Sequence, residues 1–268
     1  MKHLFLLSAA LLAQPIFADD TTFIDRCGIS SIAHGETMVV TGDILLEEGS
    51  GTCISITHEH VTLDCQGYIL TAPLGGLPRA IDIDDEAHFF AVRNCKLAGY
   101  WFFGINAWAS WGLIEHNELE IAGFGIMSSG TENEIRHNNI FEGGWVGISI
   151  GNGNYNLVHH NSVHGKMGGI YVGSSSNEIS HNKFMENGFG IYLLDESDSN
   201  IILKNRVNRN EVAGIRLLNS FENFVVGNVA NNNGIGIEEL GEELNNTYVN
   251  NVCKSNEETD SNVDGACK

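Results

Sequence analysis

The sequence predicts an all-β fold, a right-handed parallel β-helix solenoid with coils of about 22 residues and disulfide-stapled ends. Three observations carry this. A Gly-Ile pair recurs at Gly104-Ile105, Gly125-Ile126, Gly147-Ile148, Gly169-Ile170, Gly190-Ile191, Gly214-Ile215 and Gly236-Ile237, at spacings of 21 to 24 residues. An asparagine column keeps step with it: Asn117, Asn138, Asn161, Asn182, Asn205, Asn228 and Asn251. The segments between the markers are short, β-branched and bounded by turn formers, and no window holds a sustained helical apolar stripe. A leucine-rich repeat has a similar period but needs several leucines per unit, where this chain offers Ile, Val and Phe.

Taken in chain order, residues 1–18 have the pattern of an export signal. Lys2 and His3 lead, an apolar run from Leu4 to Leu12 follows, and Ala18 ends it. The run is shorter than the roughly 20 residues that span a bilayer. The protein is therefore expected to be secreted or periplasmic, with no membrane span once the signal is removed. Residues 19–60 are expected to form an N-terminal cap and entry coil, 61–252 the β-helix, and 253–268 a C-terminal cap or tail. Caps are needed because the first and last coils of a solenoid expose core and strand edges. The six cysteines all follow the signal, none in a CxxC spacing, which favours disulfides over zinc or redox chemistry. A formal net charge of −20 argues against nucleic acid and anionic membrane, and against polyanionic substrates unless a divalent cation bridges them. The chain is read as a monomer.

Stacked coils bring equivalent positions within about 4.8 Å. Aligned Asn side chains at that spacing can chain amide hydrogen bonds along a corner. From Asn138 onward each column member has another Asn five residues earlier, Asn133, Asn156, Asn177, Asn200, Asn223 and Asn246. Aligned apolar positions such as Ile135, Leu157, Ile179, Ile202 and Phe224 are expected to fill the interior.

The repeated Asn-x-Ile-x-x-Asn and Gly-Ile units resemble the parallel β-helix repeats of the pectate-lyase-like superfamily, over roughly residues 40 to 255. The stretch Val61-Thr-Leu-Asp-Cys-Gln-Gly67 is similar to the entry coil common in that group. The resemblance implies the fold; the group holds polysaccharide lyases, polygalacturonases, mannuronan epimerases and the periplasmic copper-maturation protein NosD, so it leaves the activity open. Coil alignment from Val92 and Ile114 sets Cys95 above the Asn117 column, and Cys65 lies beside the same corner one coil earlier. The expected pairs are Cys27–Cys53, Cys65–Cys95 and Cys253–Cys267.

If each Gly-Ile isoleucine points inward, the residues one and three places later point outward. One outward column then reads Asp82, Asn106, Met127, Ser149, Tyr171, Tyr192, Arg216 and Glu238; its neighbour begins with Asp84 and Trp108. Carboxylates, aromatic rings and small residues on one face suit an extended polysaccharide. Trp108, Asn106, Tyr171, Tyr192 and Glu238 are the expected contacts. Asp82 and Asp84 are two residues apart on one strand, which allows the carboxyl separations of about 5–9.5 Å that glycosidases use. With Asp85 and Glu86 they also match the oxygen-rich donor set of Ca²⁺, and a solvated acidic turn is the plain alternative. Elimination or epimerisation of a uronate needs a base and a positive charge, for which Arg216 beside Tyr192 is the candidate, although no Asp-Pro-His-type epimerase motif occurs.

A second feature is a histidine column, His116, His137, His160 and His181, each just before a corner Asn, continued by Lys204 and flanked by His159. It stands as a candidate for binding metal or a partner protein, as the NosD resemblance implies, or as ring stacking alone. His58-Glu59-His60 has the look of a metal pair, but strand alternation would set both rings on one exposed side. Three readings stay open: a glycan-cleaving or glycan-binding protein, a non-catalytic periplasmic binder using the His column, and a structural or adhesive surface protein.

Overall fold

The computed structural model describes residues 20–47, 51–242 and 245–268; the expected export signal at 1–18 lies outside them. The described residues form three parallel sheets of eleven, eight and eleven strands and no helix. One turn of the coil runs Leu113–Glu115 in sheet 1, Glu118–Ile121 in sheet 2 and Phe124–Ser128 in sheet 3, then returns to sheet 1 at Glu134–Arg136, stacked on the first strand. About ten such turns make up the solenoid. No described helix is long and apolar enough to cross a membrane.

Most corners are built from one left-handed residue followed by one buried residue, most often Asn. Between sheets 1 and 2 the left-handed residues include His116, His137, His160 and His181, with φ of 53° to 57°. His and Asn tolerate this region better than most side chains. The Asn that follows each of them turns inward and replaces the hydrogen bonds that the bend takes from the backbone. Asn161 is typical: its backbone N–H and Nδ2 both donate to Asn182 Oδ1 (2.8 and 3.1 Å), and Nδ2 also donates to Ile135 O (2.8 Å). A second ladder runs from Asn133 to Asn246 between sheets 3 and 1. A third, which the spacing analysis did not anticipate, links Asn187, Asn210, Asn233 and Asn256 between sheets 2 and 3.

The third ladder begins on a lysine. Lys166 fills the position ahead of Asn187, and its backbone N–H donates to Asn187 Oδ1 (3.0 Å). Its ammonium is buried and donates to the carbonyls of Ile121 and of Glu142, the latter at 3.2 Å. With no carboxylate in contact, burial pushes the amine down to about 8.

The interior is a stack of aliphatic residues from all three sheets. Ile135, Ile179 and Ile202 lie within it as expected, but Leu157 and Phe224 do not; Val158 and Val225 take their places. The inward residue is the second after the corner Asn, as in Asn156-Leu157-Val158. A slip of one residue on a strand reverses its face, so Phe224 is half-exposed instead.

All three disulfides form the expected pairs. Cys65 and Cys95 precede the first ladder, where the Cys95 N–H donates to Asn117 Oδ1 (2.9 Å). The stack also runs into the regions expected as caps: Thr21–Ile24 pairs with Thr37–Val40 in sheet 1, and Thr259–Ser261 closes sheet 3.

Candidate functional site

Sheet 3 carries the Gly-Ile strands, and close packing explains the glycine. A Cβ on Gly104 would sit 2.5 Å from Gly125 O and 2.9 Å from Ile121 Cδ1. The register sets Ser55, Asp82, Asn106, Met127, Ser149, Tyr171, Tyr192, Arg216 and Glu238 in one column, as the alternation argument required.

At its N-terminal end, the Asp82 carboxylate accepts hydrogen bonds from Arg79 Nη1 (2.9 Å) and Asn106 Nδ2 (2.6 Å). Asn106 is buried rather than presented to solvent, and its Oδ1 has no hydrogen-bond partner among the described residues. Asp84, expected on the same strand, is exposed just past its end, since the strand stops at Ile83 and the turn begins. Partial burial of its carboxyl, then the charges of Asp82, Asp85 and Glu86, raise its pKa above the ordinary value, against the pull of Arg79. Trp108 stands beside it in the next coil, 45% exposed.

Beyond Asp84 the turn opens on a groove of about 450 Å³ lined by His34, Thr57, His58, Glu59, Glu86 and His88. His88 Nδ1 accepts the Ser110 backbone N–H (3.2 Å), so the proton of the neutral ring sits on Nε2. His58 and His60 lie in a turn rather than on a strand. His58 lines the groove, while His60 stacks on Phe89 (4.8 Å), which stacks on Trp111 (5.0 Å). Nothing in the spacing links His34, His58 and His88, because they meet only through three successive coils.

Arg216 is not part of this centre. It lies six coil steps from Asp82, roughly 29 Å. There it forms a close ion pair with Glu238, both side chains mostly buried, and sits 4.5 Å over the Phe189 ring. Tyr192 packs edge-on against Tyr171 (5.3 Å), whose hydroxyl pKa is raised by burial first and then by Tyr192. Glu238, expected as a contact, is buried beneath this cluster.

The histidine column is a stack. His116, His137, His160 and His181 follow one another at ring separations of 5.1, 5.2 and 5.3 Å. Parallel rings offer one edge per coil, and among the described residues no group of three or more His, Cys, Asp or Glu is arranged to hold a metal ion. His159 joins the column from the side, with Nδ1 2.8 Å from His160 Nδ1 and Nε2 2.9 Å from Glu134 Oε1.

Comparison with known proteins agrees with the fold. A family model described as right handed beta helix region matches residues 79–198 and 124–267. No curated protein matches the chain. Among solved structures, a hyperthermoactive exopolygalacturonase from Thermotoga maritima is similar over 90% of this chain and 80% of its own, at 11% identity and a TM-score of 0.63. The Azotobacter vinelandii mannuronan C-5 epimerase AlgE6 A-module is similar over 93% and 89%, at 16% identity and a TM-score of 0.59. The Dettilon tailspike protein is similar over 88% of this chain at 18% identity and a TM-score of 0.61; the chain spans 54% of its length. At these identities the likeness is one of fold.

Proposed function

This chain belongs to the right-handed β-helix family, and on that premise we propose that it is an exported glycan-cleaving protein whose hydrolytic centre is the Asp82 and Asp84 end of sheet 3. The observation that carries the reading is the unequal pair of carboxyls. Asp82 is held by Arg79 and Asn106, while Asp84 has its pKa raised. One carboxylate anchored by hydrogen bonds and a second, solvent-facing carboxyl beside it suit the division into base and acid that glycoside hydrolysis uses.

In this mechanism Asp84 gives its proton to the glycosidic oxygen as the bond to the anomeric carbon breaks. Water adds its hydroxide to that carbon, and its remaining proton passes to Asp82. Arg79 and Asn106 position Asp82. Trp108 supplies an apolar face for a sugar ring. Hydrolysis fits better than elimination because the only Lys or Arg in the strands of sheet 3, Arg79 and Arg216, are both bound to carboxylates and leave no free cation there for a uronate. The names of two similar structures, an exopolygalacturonase and a mannuronan C-5 epimerase, support a polysaccharide substrate. Three disulfides support an oxidising compartment, secreted or periplasmic.

The test is a polysaccharide panel with and without Ca²⁺, comparing the wild type with Asp82→Asn and Asp84→Asn. New reducing ends made by the wild type and lost in both variants would support the reading. Unsaturated product ends would replace hydrolysis by elimination. Neither cleavage nor binding of any glycan would overturn it.

A further inference from the structure

The outer face of sheet 2 has a charge pattern at odds with the rest of the molecule. Acidic residues outnumber Lys and Arg by 34 to 14. Accordingly Arg26, Arg79, Arg93, Arg136, Arg209 and Arg216 each lie within ion-pair distance of a carboxylate. Arg206, the seventh arginine, has no carboxylate partner among the described residues. It instead stands directly beside Lys183 on the neighbouring parallel strand. Equivalent backbone positions there are about 4.8 Å apart, and like charges side by side in a sheet are destabilising. Among the described residues Lys183 has no carboxylate partner either, nor does Lys204, two residues before Arg206.

These cations border a groove of about 310 Å³, lined by Lys183, Met185, Arg206, Asn208, Arg209 and Asn232. The Arg209–Glu186 pair at its edge is 3.2 Å long with both side chains more than half exposed, so solvent screens it and the guanidinium stays available. Two planar guanidinium forks, an ammonium point charge and the amides of Asn208 and Asn232 form a donor set without an acceptor charge. Such a set matches an oxyanion with several acceptor oxygens.

We propose that this groove binds a tetrahedral oxyanion, a phosphate or sulfate group. The strongly negative protein repels a long polyanion, so the groove fits a single charged group, such as one ester on an otherwise uncharged glycan. The site is independent of sheet 3 and stands whether or not that face cleaves glycans.

The test is thermal unfolding of the full chain in sodium phosphate, sulfate, acetate or chloride at matched ionic strength. The proteins compared are wild type, Arg206→Gln, Lys183→Gln and the control Lys96→Gln, which lies four strands away from Lys183 on the same sheet. Phosphate and sulfate stabilise many proteins non-specifically, so the readout is the difference between variants. In wild type and Lys96→Gln, a tenfold excess of the bound anion over its Kd should raise Tm by on the order of 3 °C more than acetate does. Arg206→Gln and Lys183→Gln should lose that excess, and in chloride alone should melt no lower than wild type, since they relieve a repulsion. A rise with phosphate alone or with sulfate alone identifies which ester is taken; a rise with both supports the shared chemistry. The proposal is overturned by equal anion dependence in wild type and Arg206→Gln, by an equal effect of acetate, or by a lower Tm of Arg206→Gln in chloride.

Discussion

Asn106 Nδ2 donates to Asp82 Oδ1 across 2.6 Å, joining two coils of sheet 3 through a buried amide and a partly buried carboxylate. Removing the amide in Asn106→Ala takes away a hydrogen bond to a charged group, a contribution of about 1.5–3 kcal/mol. Urea unfolding is expected to register a loss of about 2 kcal/mol, and the glycan assay a larger fall in kcat than rise in KM. Unchanged stability would mean that the amide is not holding Asp82.

The first ladder makes a sharper structural prediction. Asn182 accepts from the backbone N–H and Nδ2 of Asn161 and donates to Val158 O (2.8 Å) and Asn205 Oδ1 (3.1 Å). Asn182→Ala leaves buried donors and a carbonyl unpaired, at a cost of about 3 kcal/mol. The urea midpoint should fall with the slope unchanged. Asn262→Ala, at an exposed position whose side chain bonds only to the Glu239 backbone, should fall much less.

The histidine column predicts acid sensitivity. Burial, then the neighbouring His159, His137 and His181, lowers the pKa of His160 below the usual 6.5. The unfolded chain therefore binds the proton first, and stability is lost as pH falls through about 6.5 toward the folded value. Thermal melts between pH 7.5 and 5.5 should show a decline that shrinks in His160→Asn, which keeps the left-handed corner. A flat profile in the wild type would contradict this.

Lys166 predicts a slope at the other end of the scale. Its folded pKa of about 8 lies below the ordinary lysine value of 10.5, so between these pH values the unfolded chain holds more protons. Stability referable to this residue rises as pH increases through that window. Subtracting urea midpoints of Lys166→Met from those of the wild type, from pH 7.5 to 10.5, should isolate the rise. A constant difference would show that the ammonium has its ordinary pKa.

Much of this fold was legible because the solenoid repeats its instructions. Ile105, Ile126 and Ile148 occur at fixed distances from their glycines, so the inward and outward faces of sheet 3 follow by counting. Cys65 and Cys95 could be paired for the same reason. Leu157 and Phe224 were misplaced because apolar residues occupy two adjacent positions after their corner Asn, and only the register chooses between them. The third ladder escaped notice because Lys166 and Gly144 hold its earlier positions. The site was less legible still. The hydrogen bond from Asn106 to Asp82, the meeting of His34 with His88 across the groove, and the solitary Arg206 depend on neighbours one or two coils away, whose side-chain directions no spacing reports.

The ladders also make the coil a unit of length. Residues 182–204 form one complete turn from one corner Asn to the residue before the next. Excising them would present Asn161 to Asn205 in the same relation that Asn161 now has to Asn182. The interval between the Asp82 and Arg216 ends of the face is thus graduated in steps of about 4.8 Å, and a rod marked in this way can be cut or extended only in whole divisions.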